Sequence, residues 1–577
     1  MKPTASPFLA ALAPVAMGVF AAPVCAADRY WDTGTVDIAA NGDGASGNAS
    51  GAAALGTWNT TTKNWDQGAG LAHVAWDNGA IDTAIFGGTQ ANTIRVITLG
   101  SSITVNQIRI ITGSTGNFRY DIGVATDTTN AITFGGTTYS DALPQIDASG
   151  AGNNNFPAKV TGDYTASGGV FIKHGSNITT PSSSGRFAFT NTSSTFVGDV
   201  VMLSGNLSVG TQMGNLANKL VLKGGALFVS GGAGTSTFAR GIRVDAASGF
   251  ATNSTGVGQI MDLTGAITGS GGITRYSNAL SGSNSSDVRL SGDLSGYTGI
   301  LENTGNNGNA VMTIQTTATS GGAWKLSGGT LKLNTTNDTH IANGVGKSDL
   351  LMNGGTLDMN SKSETINGLS GATGTVRNNL AASTATLTVG DGDATATFDG
   401  PIINGSGTVA LTKIGGGVQT LGGSSTYTGD TLVDAGTLLI NGSLGATAVT
   451  VDSDARIGGD GTLGGTLHFN VGADFQFSTT QTLTVNGASV TFGGFSITDL
   501  VGLDSSVDNG TYTLIDGTAA VSSTNLLNLG FANAHDLGNG KSAYFETGSL
   551  KVIVIPEPAA LLLGGLGLLG LLRRSRA

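Results

Sequence analysis

The chain has 577 residues, of which 93 are glycine, while Asp, Glu, Lys and Arg together supply only 11%. Apolar residues still make up 39%, which is enough to form a core and excludes charge-rich disorder. The net charge of −11 repels phosphate backbones and therefore argues against nucleic acid as a partner. This composition favours a long β architecture over an ordinary helical enzyme.

The first predicted element is a secretory signal peptide over residues 1–26. A basic start and an apolar stretch precede small residues at the −3 and −1 positions of a cleavage site after Ala26, with Ala27 as the next best site. The alternative is a lipoprotein anchored through Cys25, but the residues before it lack the usual lipobox pattern. Because Cys25 is the only cysteine, an intrachain disulfide is excluded. We therefore expect export through the general secretion machinery.

The region that follows, residues 27–135, is rich in tryptophan. It holds four of the five tryptophans of the chain, and each is followed by Asp or Asn; they are Trp31, Trp58, Trp65 and Trp76. Trp-Asp pairs on a β scaffold are suited to stack on sugar rings, which makes carbohydrate contact one interpretation. The favoured interpretation is that the rings close the open end of a solenoid, which must be capped for solubility.

Residues 136–550 show a strand repeat with glycine punctuation. The recurring phrase is a Gly-Gly turn followed by a strand with alternating faces, and no helical period is sustained. Gly225 follows Gly205 by 20 residues, and Gly355 follows Gly329 by 26 residues. These spacings are about one turn of a parallel β-helix, in which every rung buries its apolar face against the next. The predicted fold is therefore all-β, an elongated right-handed parallel β-helix or solenoid.

A longer repeat is superimposed on these rungs. In one copy a lysine and a glycine precede an aromatic residue, which precedes a final glycine by nine positions; these are Lys413, Gly415, Tyr427 and Gly436. An earlier copy has the same order with the same last interval; its residues are Lys173, Gly175, Phe196 and Gly205. A degenerate third copy includes Tyr297.

This longer pattern resembles the autotransporter-associated β-strand repeat of bacterial surface proteins. The copy at 405–440 carries the resemblance best, and about 300 residues carry it loosely. Trp-rich leaders such as Tyr30-Trp31-Asp32 also open proteins of that repeat family. The resemblance implies a passenger-like β-helix. We expect no translocator barrel, because only 110 residues follow Leu467.

The last predicted element is a tripartite segment over residues 552–577. Pro556-Glu557-Pro558 precedes fourteen residues of Ala, Leu and Gly only, and an arginine cluster follows, consisting of Arg573, Arg574 and Arg576. As a helix, the apolar stretch would span about 21 Å, short of a hydrocarbon core of ~30 Å. A short permanent membrane anchor is one interpretation.

The tripartite segment closely resembles the PEP-CTERM sorting signal of Gram-negative bacteria. The resemblance implies that an exosortase, a membrane-embedded protease, processes the chain near Pro556-Glu557-Pro558. The arginines are expected to stay cytoplasmic. The chain would then pass through an inner-membrane intermediate, held transiently by its C-terminal hydrophobic helix, before reaching the cell surface or the extracellular matrix.

No catalytic, cofactor-binding or metal-binding residue can be named from the sequence. The closest acidic pair, Asp391 and Asp393, would share a face on a strand, although Asp is also common in turns. We therefore predict a non-catalytic cell-surface or exopolysaccharide-matrix protein, structural or adhesive, with exopolysaccharide as a candidate partner. The alternative is a β-helix polysaccharide hydrolase or lyase, because carboxylates from distant rungs can converge in a groove.

Overall fold

The computed structural model of the protein shows an all-β chain built mainly of parallel strands. Consecutive rungs lie side by side, so that each strand pairs with the equivalent strand of the next rung. The structure describes residues 26–31, 54–67, 71–86, 94–111, 119–136, 138–149, 154–179, 185–277, 285–305, 309–335, 340–546 and 548–557.

The first part of the stack contains short strands that are mostly three to six residues long. They are β1 (Asp28–Trp31), β2 (Ala54–Trp58), β3 (Trp65–Asp66), β4 (Thr83–Phe86), β5 (Ile94–Leu99), β6 (Ile103–Val105), β7 (Gln107–Ile110), β8 (Arg119–Ile122), β9 (Ala131–Phe134), β10 (Ile146–Ala148), β11 (Asn154–Phe156), β12 (Lys159–Thr161), β13 (Val170–His174) and β14 (Phe187–Phe189).

The predicted boundary at residue 136 is not visible as a break in this ladder. Strand β7 pairs in parallel with β10, and β9 pairs in parallel with β12. Rungs on the two sides of the expected boundary are therefore hydrogen-bonded to each other. The Trp-rich region is the beginning of the same stack.

The middle of the stack contains longer strands, in which one strand often supplies two successive faces of a rung. These strands are β15 (Val200–Ser208), β16 (Leu220–Leu222), β17 (Gly225–Gly231), β18 (Gly234–Phe238), β19 (Ile242–Val244), β20 (Ser248–Ser254), β21 (Gln259–Leu263), β22 (Ile267–Gly269), β23 (Ile273–Ser277), β24 (Ser286–Leu290), β25 (Leu301–Thr304), β26 (Ala310–Ile314), β27 (Trp324–Gly328), β28 (Thr330–Leu333), β29 (Leu350–Asp358), β30 (Glu364–Ile366) and β31 (Leu369–Asn378).

The register of these strands confirms the spacing predicted from the glycines. Gly205 pairs with Gly225, the interval expected from the sequence. Thr330 pairs with Thr356, one residue after the glycines that predicted that rung. Repeated glycine turns thus fix the length of a rung, because each turn returns the chain to the same edge of the stack.

The last part of the stack continues the parallel ladder and then ends in an antiparallel cap. Its strands are β32 (Thr384–Val389), β33 (Ala396–Phe398), β34 (Ile402–Asn404), β35 (Thr408–Lys413), β36 (Val418–Leu421), β37 (Thr431–Val433), β38 (Gly436–Ile440), β39 (Ser443–Leu444), β40 (Val449–Val451), β41 (Ala455–Gly458), β42 (Thr462–Leu463), β43 (Leu467–Phe469), β44 (Asp474–Gln476), β45 (Leu483–Val485), β46 (Ser489–Phe492), β47 (Leu500–Val501), β48 (Gly510–Asp516), β49 (Ala520–Val521), β50 (His535–Gly538), β51 (Lys541–Glu546) and β52 (Leu550–Pro556). Three 3-10 turns accompany them, at Asp391–Asp393, Ile497–Asp499 and Phe531–Asn533.

The cap covers the open edge of the last parallel rung. Strand β48 pairs in parallel with β45 and antiparallel with β52, which in turn pairs antiparallel with β51. Phe492, Phe495 and Phe545 stack in series, with ring centroids 5.2 and 5.8 Å apart, so that the aromatic core continues from the last rungs into the cap. The edge of β48 is thereby paired with β52, and the short strand β50 becomes the outer strand of this sheet.

Candidate functional site

The predicted signal cleavage site lies where the described part of the chain begins. Ala26 is exposed, and Ala27 is half-buried in front of β1. The amide nitrogen of Ala27 donates to Oδ1 of Asp82 at 2.9 Å, and its carbonyl oxygen accepts from the amide of Thr83. The backbone is therefore fixed directly after the predicted scissile bond. Residues 1–25 of the predicted signal lie outside the described residues.

The four N-terminal tryptophans form one aromatic cluster inside the first rungs. The rings of Trp58 and Trp65 are 5.0 Å apart between centroids, and those of Trp65 and Trp76 are 4.7 Å apart. Trp31 packs edge-on against Trp65 at 5.1 Å.

Burial of this tryptophan cluster separates the two interpretations of the sequence. Trp31, Trp58 and Trp65 have no exposed surface, and Trp76 is 3% exposed. A sugar ring needs an exposed indole face, and none of these four residues offers one in this structure. The rings instead fill the end of the core, where large aromatic side chains contribute most through buried area. The burial of all four rings therefore favours the capping interpretation over carbohydrate contact.

The beginning of the predicted sorting segment is part of the cap. Pro556 is the last residue of β52 and lies opposite Lys541, and the amide of Glu557 donates to the carbonyl oxygen of Gly540 at 2.8 Å. Strand β52 lies between β48 and β51, and the side chains of Val552 and Val554 are buried. The segment is therefore joined to the folded body without a linker.

The rest of the predicted sorting segment lies outside the described residues. This concerns Pro558, the apolar stretch expected to be a membrane helix, and the cluster of Arg573, Arg574 and Arg576. Among the residues that the structure describes, no helix has the length and apolarity needed to cross a bilayer.

The acidic pair Asp391 and Asp393 does not lie on a strand face. Both residues belong to a 3-10 turn, so the expectation of a shared strand face is wrong. Oδ1 of Asp393 accepts from the amide of Gly416 at 2.6 Å, and Oδ1 of Asp391 accepts from the amide of Gly392 at 2.9 Å. Each carboxylate thus stabilises backbone amides of a corner, the usual role of Asp in turns.

No three His, Cys, Asp or Glu side chains within the described ranges lie close enough together to hold a metal ion.

One buried ionisable pair was not predicted from the sequence. Nδ1 of His340 lies 2.5 Å from Oε2 of Glu364, and the amide of Ile341 donates to Oε1 of the same carboxyl at 2.7 Å. Burial raises the pKa of Glu364, although its bonds to His340 oppose that shift. The partners lie on successive rungs, 24 residues apart. Only the spacing between rungs could have predicted this pair from the sequence, and that spacing varies along the chain.

The best-conforming copy of the long repeat contains a buried lysine. Nζ of Lys413 donates to the carbonyl oxygens of Ile414, Gly415 and Ala435 at 2.6, 2.8 and 3.1 Å. Burial lowers the pKa of Lys413 to about 8. The lysine of the repeat therefore binds the carbonyls of a glycine corner, a structural role that holds two rungs together.

The ladder and its two ends define a capped parallel β-solenoid. Residues 411–440 match the passenger-associated-transport-repeat model. Residues 554–577 match the PEP-CTERM protein-sorting motif. The chain thus carries both elements that its sequence resembles, the repeat and the sorting motif.

Two curated proteins are similar to long stretches of the chain. The Adhesin BmaC autotransporter of Brucella suis biovar 1 (strain 1330) is 31% identical over 291 residues, 49% of this chain and 6% of that protein. Outer membrane protein A of Rickettsia rickettsii is 26% identical over 430 residues, 71% of this chain and 17% of that protein. The chain therefore spans a small part of the length of these relatives.

Among solved structures, the crystal structure of the Haemophilus influenzae Hap adhesin aligns with 84% of this chain and 65% of its own. The identity is 12% and the TM-score 0.19, so this likeness carries no argument. The fold rests on the strand pairing described above.

Proposed function

We propose that this protein is an exported cell-surface or matrix protein with an adhesive or structural role, sorted by an exosortase through its C-terminus. Two observations support the proposal together. The body is a repeat solenoid similar to part of a named adhesin, and it ends in a PEP-CTERM sorting motif. A stiff repeat array presents a long surface to a partner, which suits adhesion better than turnover of a small substrate.

The single observation that carries the sorting half of the proposal is the position of the PEP motif. Pro556 ends a central strand of the cap, and Glu557 still bonds to Gly540. A cut before Leu550 would remove β52, whose apolar side chains are buried between two other strands, whereas a cut at the motif leaves the buried Val552 and Val554 in place. Processing near Pro556-Glu557-Pro558 would therefore leave the buried part of the cap intact.

Mass spectrometry of the exported protein tests this position directly. We expect the C-terminal peptide to end near Pro556-Glu557-Pro558, and no peptide from Leu561 to Ala577. A matched control replaces Arg573, Arg574 and Arg576 by alanine, which should leave the unprocessed chain in the membrane fraction. Recovery of the intact C-terminus from surface material would contradict exosortase processing and favour the permanent anchor.

A second measurement tests the adhesive half. The producer strain lacking the protein, complemented either with the full chain or with the arginine variant, is compared for attachment to its own exopolysaccharide. We expect attachment to be restored by the full chain only, with no new reducing ends or unsaturated sugars released from the polymer. Cleavage of the polymer that requires the protein would favour the hydrolase or lyase alternative.

A further inference from the structure

The first described rung is anchored on a carboxylate that is almost completely buried. Asp82 is 5% exposed, and its two oxygens have different partners. Oδ2 accepts from Nε of Arg29 at 2.7 Å, and Oδ1 accepts from the backbone nitrogen of Ala27 at 2.9 Å. A buried carboxylate depends on such donors, because removing one partner leaves it uncompensated.

Both backbone polar groups of Ala27 are hydrogen-bonded. Its carbonyl oxygen accepts from the amide of Thr83 at 2.9 Å, and the next residue, Asp28, is in parallel register with Thr83. Ala26, in contrast, is exposed. The bond between Ala26 and Ala27, which we predict to be cleaved on export, thus joins an exposed residue to one locked into the ladder.

We propose that removal of the signal converts the nitrogen of Ala27 into an α-ammonium group that binds Asp82 and fastens the first rung. Hydrolysis consumes one water, leaves a carboxylate on Ala26 and leaves a protonated amine on Ala27. The nitrogen need not move, because it already lies 2.9 Å from Oδ1 of Asp82. A neutral amide bond to the carboxylate becomes a charge-assisted one, which is about twice as strong. This inference rests on the export step of the proposed function.

The surroundings can accept the new charge. A cavity of about 290 Å³ adjoins the carboxylate and is lined by Arg29, Gln67, Asp77 and Asp82 among others. Arg29 is already engaged, since its Nη1 donates to Oε1 of Gln67 at 2.8 Å. Asp77 is the second carboxylate facing the cavity, and its Oδ1 accepts from the amide of Gly79. The cavity beside Asp82 therefore contains two carboxylates and one guanidinium, and it has space for water.

The geometry also distinguishes the possible cleavage sites. A chain that begins at Asp28 lacks the donor of Ala27, so Oδ1 of Asp82 loses this partner. A lipoprotein beginning at Cys25 keeps a neutral amide at Ala27 and forms no ammonium there. Only cleavage after Ala26 places a charged amine on Asp82.

Hydrogen exchange of the first rung tests the pair. Three preparations of chain 27–577 in detergent are compared at pH 6.5: one with a free amine on Ala27, one with that amine acetylated, and one extended by Ala26. A cleavable N-terminal fusion produces each defined start. We expect the amides of β1 and β4 to exchange about tenfold more slowly with the free amine on Ala27 than in the other two chains. The difference should vanish above about pH 9, where an α-amine loses its proton.

The carboxylate is tested with Asp82→Asn in the free-amine and acetylated chains. If the ammonium binds Asp82, the substitution abolishes the difference between these two chains. Equal exchange in the three unsubstituted chains, or a difference that survives Asp82→Asn, overturns the ammonium pair and leaves export untouched. N-terminal sequencing of the exported protein is the separate control: a first residue other than Ala27 overturns both the predicted cleavage site and the capture of the native terminus.

Discussion

The two copies of the long repeat share a backbone corner, but different side chains donate the hydrogen bond to its carbonyl oxygen. In the earlier copy, Oγ of Ser204 donates to the carbonyl oxygen of His174 at 2.8 Å. In the later copy, Nζ of Lys413 donates to the carbonyl oxygen of Gly415 at 2.8 Å, and alanine, Ala435, stands where the serine would be. Both copies therefore have a side-chain donor at this carbonyl oxygen, although a different residue supplies it in each copy.

Strand pairing, and not the alignment of letters, identifies these equivalent positions. The residue after the Gly-Asp pair lies opposite Val170 in the earlier copy and opposite Leu411 in the later one. Counted from these positions, Lys413 corresponds to the buried Ile172, whereas Lys173 points to solvent. The sequence had aligned the two lysines. A slip of one residue on a strand moves a side chain to the other face, which explains the error.

The largest expected difference between the copies concerns their lysines. Lys413→Ala removes a donor from three carbonyls and leaves a cavity, so we expect the free energy of unfolding to fall by about 4 kcal/mol. Lys173→Ala, on the exposed face, is the matched control and should change it by less than about 0.5 kcal/mol. Urea unfolding followed by circular dichroism measures both. Similar losses in the two variants would mean that the lysines are equivalent after all.

The second expected difference is a pH dependence of the free energy of unfolding that arises in the earlier copy. Burial lowers the pKa of His174 to about 4, against about 6.5 in an unfolded chain. Between these values the unfolded chain binds a proton that the folded chain does not, so acidification favours unfolding. The free energy of unfolding should fall by about 3 kcal/mol from pH 7 to pH 4 through this group. His174→Gln should remove that part of the pH dependence, and an unchanged slope in the variant would contradict the assignment.

Shared glycines should respond alike in the two copies. Gly436 and Gly205 have φ values of 65° and 77°, and an added Cβ would lie 2.3 and 2.7 Å from the carbonyl oxygens of Gly415 and His174. Alanine at either position should cost about 2 kcal/mol. Gly210→Ala is the control, since a Cβ there meets nothing within 4 Å. A loss confined to one copy would show that the corner is not shared.

The smallest expected effect tests whether the two donors are interchangeable. Ser204→Ala should cost about 1 kcal/mol, the usual contribution of one hydrogen bond. Adding Ala435→Ser to Lys413→Ala should restore about the same amount, because the new hydroxyl takes the position of Ser204. If the double variant is no more stable than Lys413→Ala, the equivalence drawn from strand pairing is wrong.

The sequence was sufficient for the features that glycine controls. The spacing of Gly205 and Gly225 predicted a rung that the register confirms, because few other residues tolerate the corner. It was not sufficient for features that depend on the phase of a strand. The inward position of Lys413 and the pairing of His340 with Glu364 both require knowing which residue of a short, weakly patterned strand faces the core. The Asp391 turn was missed for a related reason, since an i, i+2 spacing does not distinguish a strand from a turn.

Because no linker separates the cap from the PEP motif, the C-terminal tail begins at the cap end of the stack. Pro556 belongs to the last strand of the stack, and Ala27 precedes the first. If the C-terminal tail is held in a membrane, as we propose, the cap is the end of the stack nearer to that membrane, and the tryptophan cluster is at the opposite end. Each of the two proposed cuts then acts on its own end of the stack and leaves the rungs between them unchanged.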